Sequence, residues 1–503
     1  MTKLFVPYVL ALLVFGAGIY AVLQVGSRLP PGQAPPEKHH APGAALPHED
    51  APDSFPGTVA WEFLEHLRQP FGVLILQVIL VVAAATLVGG LFRRMGQPAV
   101  IGEMVAGILL GPSLLGLLSP GTEAFLFPPS SMGGLRLISQ IGVILFMFVV
   151  GLDLDVRHFR HKAHTAVFVS HASIIVPFFL GTAFALLIYP TAAPANVPFS
   201  AFALFLGIAM SITAFPVLAR IIEEKELTGT FLGATAIACA AVDDVTAWCI
   251  LAAVVAFVRA SGFTTALVTI VLSLLYIAVM LLLIRPLARR FTRRPIRGTK
   301  ADKGFLAGIL VFVFGSALAT DVIGIHALFG AFLAGVVMPS DSRLRAFIKD
   351  RIEVFSSGLL LPLFFAFTGL RTQLGLLDDR AGLLMAGSII LIAIAGKLGG
   401  SMMAARWTGL GWPDAFAIGT LMNTRGLMEL IVLNLGYDLG ILSARVFTMM
   451  VLMALVTTFM TGPLLLVARR RREELADLAQ TPLSGKILAV APSGDVESTP
   501  GEL

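Results

Sequence analysis

The sequence predicts an all-α protein that crosses a membrane many times, and three observations support this fold class. Charged residues make up 13% of the 503-residue chain, about half the share found in soluble globular proteins. The mean hydropathy is +0.88, which leaves too little polar surface to cover a soluble globule. Fourteen apolar segments follow one another along the chain. Most have the length of about 20 residues that a membrane-spanning helix needs.

The apolar segments are separated by short polar loops. They are predicted at 4–26, 70–92, 97–118, 133–152, 165–188, 198–222, 228–257, 264–284, 304–320, 322–339, 354–377, 381–405, 412–436 and 443–468. The pair 304–320 and 322–339 is short and is divided at Asp321.

The distribution of Lys and Arg between the loops supports this division and predicts the orientation. With the first residue in the cytoplasm, 26 of the 36 Lys and Arg residues fall on the cytoplasmic side and 8 on the other. An excess of positive charge marks cytoplasmic loops, so we expect a multi-pass protein of the cell (plasma or inner) membrane with a cytoplasmic C-terminus. The asymmetry also explains the basic composition, so no nucleic-acid partner is expected.

The ends of the chain differ from its middle in composition. Residues 1–26 form an apolar segment that is either a retained anchor or a cleaved signal peptide. Residues 27–69 are a Pro- and His-rich external linker, interpreted as a solvated tether, and residues 70–468 form the membrane domain. The tail 469–503 is short and carries no Gly-rich nucleotide motif, so no nucleotide partner is expected.

Ionisable residues inside apolar segments are costly and therefore mark candidate functional sites. Asp243 and Asp244 are adjacent in the middle of segment 228–257. Neighbouring residues on a helix diverge by about 100°, so one carboxylate can face a cation pathway while the other meets a basic partner. Desolvation and mutual repulsion favour protonation of at least one of them. Lys397, deep in segment 381–405, is the expected partner of Asp243.

Segment 198–222 is interrupted by a proline. Pro216 removes one backbone donor and frees a carbonyl one turn earlier. Freed carbonyls and the hydroxyls of Ser211 and Thr213 could coordinate a small cation. A simple proline kink is the alternative.

Segment 412–436 is interrupted by polar residues and glycine, as in a discontinuous helix. Arg425 and Glu429 are four residues apart and could pair on one helix face, either for proton coupling or as a purely structural pair. The two interrupted segments occupy corresponding positions in two halves of opposite orientation, which predicts inverted repeats with a site at the midplane. The remaining residues assigned to the crossing point of these segments are Ala214, Phe215, Asn423, Thr424 and Gly426.

Three stretches of sequence carry a resemblance to a known family. They are Gly-Gln-Pro-Ala-Val-Ile-Gly-Glu at 96–103 with Gly-Pro-Ser at 111–113, Ser-Ile-Thr-Ala-Phe-Pro-Val-Leu-Ala-Arg at 211–220, and Asn-Thr-Arg-Gly-Leu-Met-Glu-Leu-Ile-Val-Leu-Asn at 423–434. The chain resembles the monovalent cation:proton antiporter-2 family of the sodium/hydrogen exchanger superfamily over residues 70–468. The second and third stretches are similar to its plant cation/proton exchanger branch.

The resemblance implies a 13-span sodium/proton antiporter-like fold with two crossed discontinuous helices, so that 4–26 is an additional segment. It implies a homodimer in which a mobile core, about 165–257 and 381–468, moves against a dimerisation domain. Asp244 matches the family's cation-binding carboxylate, Asp243 its variable partner position and Lys397 the lysine that pairs with it. Plant relatives usually have Asn at the position of Asp243, whereas Asp there resembles electrogenic bacterial members.

The expected function is secondary active exchange of protons for Na⁺ or K⁺, with no enzyme activity, cofactor or bound metal centre. The alternative on the same fold is a gated cation efflux channel or an ion sensor. An intramembrane aspartyl protease is disfavoured, because its two carboxylates must lie close enough to share a proton, and adjacent residues on one helix point apart.

Overall fold

The protein is an assembly of helices in every part that can be described. The computed structural model describes residues 2–34, 69–153, 163–227, 230–259, 263–291, 299–339 and 342–480. Regular structure in these ranges is helical throughout. The α-helices are α1 Thr2–Gly26, α2 Pro70–Arg94, α3 Ala99–Leu110, α4 Leu115–Leu118, α5 Pro120–Leu126, α6 Pro129–Asp153, α7 Ala163–Ala192, α8 Phe199–Ala209, α9 Phe215–Glu224, α10 Phe231–Arg259, α11 Phe263–Val279, α12 Arg285–Phe291, α13 Thr299–Ile323, α14 Ala327–Val337, α15 Ser342–Phe355, α16 Leu361–Leu370, α17 Arg380–Ile394, α18 Gly400–Trp407, α19 Trp412–Met422, α20 Leu427–Asp438 and α21 Ala444–Gln480.

Three short π-helical turns join helices that continue through them. These are Met280–Ile284, Ser356–Leu360 and Ala395–Gly399. π-Turns inside α-helices are rare and are frequent at functional sites.

The described residues contain eleven helices that are long and apolar enough to cross a membrane, or twelve if the bent pair α19 and α20 counts as one span. The chain is therefore a multi-pass membrane protein. The predicted count of 13 spans is not established by these helices, and it stays a prediction. Two apolar helices, α8 and α14, have only 11 residues each.

Two predicted boundaries differ from the structure. The helix over 299–323 continues through Asp321 and ends where Gly324 and His326 adopt positive φ angles of 102° and 98°, which an α-helix cannot accommodate. The basic residues from Arg343 to Arg351, predicted to form a loop, belong to α15. Because these residues are charged, the apolar pattern did not predict this helix, which continues through the π-turn Ser356–Leu360 into the apolar α16.

The long helices pack into two groups. In the first, called the scaffold group, α6 packs against α14 and α16, and α3 packs against α2 and α16. In the second, called the core group, α7 packs against α8, α10 and α18, while α19 packs against α18 and α21. The interrupted helices and the buried charges belong to the core group.

The N-terminal helix α1 packs against the core group. The rings of Phe15 and Phe179 on α7 meet edge-on with centroids 5.5 Å apart. A Cβ at Gly26 would lie 1.9 Å from the ring of Phe199, so only glycine allows this approach. The backbone N–H of Gln33 donates to a carbonyl in the last turn of α7 at 3.0 Å. Most of the linker, residues 35–68, lies outside the described residues, as does the tail from 481 onward.

Candidate functional site

Two apolar segments of the core group are each interrupted near their middle and so form two shorter helices. Residues 210–214 separate α8 from α9, and residues 423–426 separate α19 from α20, which are bent by 42°. Pro216 lies in the first turn of α9, where its missing N–H removes no hydrogen bond because first-turn N–H groups have no helical acceptor. Each interruption, called a break below, leaves free backbone groups at two helix ends.

The two breaks are in direct contact. The backbone N–H of Ala214 donates to the carbonyl of Thr424 at 3.1 Å. A Cβ at Gly426 would lie 2.8 Å from a methyl carbon of Val217, so the glycine permits the close approach of α9 to the second break. The predicted crossing of two discontinuous segments therefore exists in the structure.

Asp243 on α10 is fully buried and surrounded by donors. The hydroxyls of Ser170 and Ser173 on α7 donate to its two oxygens at 2.5 and 2.6 Å. The hydroxyl of Thr213, in the first break, donates to Asp243 Oδ2 at 2.6 Å. Lys397 Nζ lies 3.1 Å from the same oxygen. Because a buried ion pair needs further hydrogen bonds to offset its desolvation, these hydroxyls are what make the pair tolerable.

Lys397 lies in the π-turn Ala395–Gly399 and reaches the first break. Its ammonium donates to the carbonyl of Ser173 at 3.0 Å and to the carbonyl of Ser211. The hydroxyl of Ser211 donates instead to the carbonyl of Gly207 on its own helix at 2.6 Å. Ser211 thus contributes its carbonyl to this network, and the predicted coordination of a cation by its hydroxyl stays a prediction.

Asp244 is as buried as its neighbour but has a different environment. Its Oδ1 accepts no hydrogen bond from any described residue. The backbone N–H of Phe215, at the start of α9, is one of the groups that interact with the carboxyl. A helix N-terminus carries a partial positive charge, so this carboxyl is placed in a favourable field with an oxygen that is not hydrogen-bonded by the described protein groups.

Arg425 lies in the second break, is fully buried, and joins that break to the end of α8. Its guanidinium donates to the carbonyls of Ala209 and Met210 at 3.0 and 2.7 Å. The guanidinium Nη1 also lies 3.3 Å from Glu429 Oε2. This contact lacks hydrogen-bond geometry, because neither oxygen of Glu429 has a hydrogen-bond partner among the described residues. The predicted pair therefore exists as an electrostatic contact between the second break and the first turn of α20, because Arg425 lies outside the helix.

The last helix, α21, lines the second break with hydroxyl groups. Thr458 Oγ1 accepts a hydrogen bond from the backbone N–H of Arg425 and donates to its carbonyl. Thr461 Oγ1 lies 3.4 Å from Thr424 Oγ1. The side-chain amide of Asn423 is 3.7 Å from a methionine sulfur of the same helix.

Ser170, Ser173 and Thr458 belong to the site but were not predicted from the sequence. For Ser170 and Ser173, the sequence feature that could have identified them is their spacing. They are three residues apart and therefore lie on one face of an apolar helix. Thr458 has no such signal. Buried hydroxyls in membrane helices usually bond to their own backbone, so the sequence does not distinguish a threonine that reaches across to another helix.

A cavity of about 620 Å³, called the Glu103 cavity, opens beside the two breaks. Phe215 and Leu427, the first residues of α9 and α20, are part of its wall. Both signs of charge are present in its lining. The charged lining residues are Glu103, Arg220, Glu223, Lys349 and Glu353.

A second cavity of about 310 Å³, called the Asp438 cavity, lies at the other end of α20. Asp438 in its wall is bound by Arg136 Nη2 on α6 at 3.0 Å and by Arg371 Nη1 after α16 at 2.9 Å. Arg371 also donates to Asn434 Oδ1 at 3.0 Å. These ion pairs tie the end of α20, in the core group, to two helices of the scaffold group.

The two cavities are separated by a wall in which residues lining opposite cavities lie within about one helical turn of each other along α20 and α6. Along α20, Leu427 lines the Glu103 cavity and Ile431 lines the Asp438 cavity, a separation of about 6 Å along the axis. Along α6, Phe146 and Ile144 line the Glu103 and Asp438 cavities respectively. The wall contains the start of α20 and adjoins the second break.

Comparison with known proteins places this arrangement in one family. The family model described as "Sodium/hydrogen exchanger, transmembrane" matches residues 80–467. The Na(+)/H(+) antiporter NhaS4 of Synechocystis sp. is 42% identical over 78% of this chain and 96% of its own length. The sodium proton antiporter MjNhaP1 of Methanocaldococcus jannaschii shares the fold, with a TM-score of 0.59 over 82% of this chain and all of that chain at 14% identity.

Two eukaryotic relatives are longer proteins. Cation/H(+) antiporter 20 of Arabidopsis thaliana is 38% identical over 85% of this chain and 52% of its own length. The K(+)/H(+) antiporter 1 of Saccharomyces cerevisiae is 34% identical over 78% of this chain and 46% of its own length. This chain therefore spans about half the length of these two relatives. The family match over most of the chain, together with the identity to NhaS4, shows that the protein belongs to the sodium/hydrogen exchanger family.

Proposed function

We propose that the protein is a secondary active antiporter that exchanges Na⁺ or K⁺ for protons. The observation that carries the proposal is the buried carboxyl of Asp244, whose Oδ1 accepts no hydrogen bond from the described residues. A buried carboxylate oxygen without a partner is costly unless it is protonated or binds a cation. The relatives are named as Na⁺/H⁺, K⁺/H⁺ and cation/H⁺ antiporters. These names are consistent with a carboxyl that binds either a proton or a cation.

Coupling follows from competition at this one carboxyl. Asp244 holds either a cation or a proton, so an empty and charged site does not cross the membrane. Thr213 and carbonyl groups of the first break complete the coordination of the cation. When a cation binds, Asp243 releases Lys397, and Asp243 or Lys397 carries a second proton on the return. Two protons against one monovalent cation would make the exchange electrogenic.

The two cavities supply access to this site from opposite sides. In this proposal the Glu103 cavity faces the cytoplasm and the Asp438 cavity the exterior, which the excess of Lys and Arg in the predicted cytoplasmic loops supports. Movement of the core group against the scaffold group then opens one cavity to the site as it closes the other. In this proposal the protein acts as a homodimer in the cell (plasma or inner) membrane, with its C-terminus in the cytoplasm.

Proton flux in sealed vesicles tests the proposal. Purified protein is reconstituted, a pH gradient is imposed, and Na⁺, K⁺ or Li⁺ is added in turn to the wild type, Asp244→Asn and Asp243→Asn. We expect a cation to collapse the gradient in the wild type, Asp244→Asn to abolish this response and Asp243→Asn to retain partial or electroneutral exchange. Asp378→Asn, the same change at an exposed carboxylate, serves as the matched control.

Two outcomes would contradict the proposal. Full exchange by Asp244→Asn would remove that residue from the mechanism. Cation flux that is driven by voltage without a proton gradient, with no collapse of the pH gradient, would indicate a channel on the same fold.

A further inference from the structure

Thr458 on α21 makes an unusual pair of hydrogen bonds in the second break. Its hydroxyl accepts from the backbone N–H of Arg425 at 3.1 Å and donates to the carbonyl of the same residue at 2.8 Å. Thr458 is 2% exposed, so water does not compete for these groups. One side chain therefore satisfies both backbone groups of a residue that has no helical partners, and these groups would otherwise be costly to bury.

The position of Arg425 matters because its side chain acts on the opposite break. The guanidinium donates to the carbonyls of Ala209 and Met210 at the end of α8. A helix C-terminus carries a partial negative charge, which this cation compensates next to the site of ion exchange. Arg425 is fully buried, so its side chain cannot turn to water if its backbone moves.

A neighbouring residue provides the contrast. Thr457 is also buried, but its hydroxyl donates to the carbonyls of Met453 and Ala454 in its own helix, which is usual for threonine in a membrane helix. Two adjacent threonines thus have the same chemistry and burial, and only Thr458 is connected to the break.

We infer that Thr458 is a positioning residue for ion exchange: by fixing the backbone of Arg425, it sets the guanidinium that joins the two breaks and thereby the geometry of the cation site. The inference rests on the proposed antiport function. It assigns a role in transport to α21, a helix in which the sequence analysis identified no site residue.

The test compares four substitutions at Thr458 and one at Thr457. Thr458→Ser keeps the hydroxyl, Thr458→Cys weakens it, and Thr458→Val removes it with little change of shape. Thr458→Val removes both hydrogen bonds to Arg425; when the equivalent of one of them is lost from cation binding, the equilibrium constant changes about five- to tenfold. We therefore expect the apparent KM for the cation to rise about five- to tenfold in Thr458→Val, less in Thr458→Cys, and to stay near the wild-type value in Thr458→Ser and Thr457→Val. Thr458→Ala should resemble Thr458→Val.

A double-mutant cycle separates positioning from a general structural effect. If Thr458 acts through Arg425, then Thr458→Val should add little to the KM change of Arg425→Lys. The reason is that Arg425→Lys already disrupts the guanidinium contact through which Thr458 would act. Thermal unfolding measures the cost in stability separately, and Thr458→Val should lower the midpoint more than Thr457→Val because it leaves the N–H and C=O of Arg425 without partners. If Thr458→Val does not fold, the Ser and Cys variants still provide the graded comparison.

The possible failures are distinguishable. Absence of cation-driven proton flux in the folded wild type would overturn the proposed function itself. Exchange in the wild type with equal KM values in Thr458→Val and Thr457→Val would overturn only the role of Thr458. Additive effects in the double-mutant cycle would also overturn it, because Thr458 would then not act through Arg425.

Discussion

At the residue scale, Asp243 and Asp244 are adjacent in sequence yet have opposite surroundings. Asp243 receives three hydroxyl hydrogen bonds and an ammonium, while Asp244 faces a helix N-terminus and retains an oxygen without a partner among the described residues. The divergence follows from the helix, which points neighbouring side chains about 100° apart. The first carboxyl is suited to hold structure and the second to exchange ligands.

Removing the partner of Asp243 should be costly for stability. Lys397→Met leaves a buried carboxylate without its cation, and breaking one side of a buried ion pair typically costs about 3–5 kcal/mol. The double variant Lys397→Met/Asp243→Asn removes both charges and should regain most of that loss. Thermal or denaturant unfolding of the purified protein measures both changes. A double variant as unstable as Lys397→Met would show that the charge imbalance is not the cause.

Most of the charged site could be predicted from the sequence, because the cost of burying charge marks Asp243, Asp244, Lys397 and Arg425 within apolar segments. Partners with hydroxyl groups could not, since serine and threonine can satisfy themselves on their own helix. The Ser211 hydroxyl bonds to the carbonyl of Gly207 in this way, and its predicted coordination of a cation stays a prediction. Whether the carbonyl or the hydroxyl of Ser211 faces the Lys397 ammonium depends on the backbone conformation of the break. The amino-acid composition does not determine that conformation.

At the element scale, α1 packs on the core group, the part of the molecule that we propose to move during transport. It packs on α7 and α8, which belong to the core group, and the described part of the linker hydrogen-bonds the last turn of α7. The sequence left open whether this segment is an anchor or a cleaved signal. The close contact of Gly26 with Phe199 fixes the position of α1 on the core group, and the choice between anchor and signal peptide stays a prediction.

Substitution of that glycine should displace α1. Gly26→Val places a side chain where a Cβ would already lie 1.9 Å from the Phe199 ring, and overpacking typically costs about 1–3 kcal/mol. Gly16→Val is the control, because a Cβ there meets nothing within 4 Å. We expect a lower thermal midpoint for Gly26→Val only. Equal midpoints would mean that α1 does not pack on the core group, as in a chain from which the segment has been cleaved.

The Asp438 ion pairs join helices from the two groups and should resist their relative movement. Asp438→Asn removes the charge that Arg136 and Arg371 share. We expect the Asp438 cavity to open more often, so that a cysteine at Leu435 in its wall reacts faster with a water-soluble thiol reagent. Asp378→Asn is again the matched control. An unchanged labelling rate in Asp438→Asn would show that these pairs do not restrain the opening.

At the scale of the whole molecule, the sequence was sufficient to predict the fold class but not the packing of the helices or the cavities between them. Low charge and repeated apolar segments are sufficient for a polytopic helical protein, and two polar interruptions predicted the crossing of discontinuous helices. The cavities could not be predicted, because they depend on how α6, α16 and α20 pack together. The sequence predicts a loop at the basic start of α15, because the residues that carry the helical periodicity there are charged.

The two cavities should be reached from opposite sides of the membrane. Gln140 and Phe146 both lie on α6 and line the Asp438 and Glu103 cavities respectively. In a background with Cys239→Ser and Cys249→Ser, a membrane-impermeant thiol reagent should label Gln140→Cys from one side only and Phe146→Cys from the other. The cysteine-free protein gives the background signal. Labelling of both positions from the same side would contradict the proposed access routes.

The thin wall between the cavities has an electrical consequence. Charged side chains line the space on both sides of it, and residues lining opposite cavities lie within about one helical turn of each other. With both cavities filled with water and open to opposite sides, as proposed, the transmembrane potential would fall mainly over this short distance rather than over the full bilayer. An elementary charge that crosses the wall gains or loses about 2.3 kcal/mol per 100 mV. A displacement of a few ångströms thus couples to nearly the entire membrane voltage.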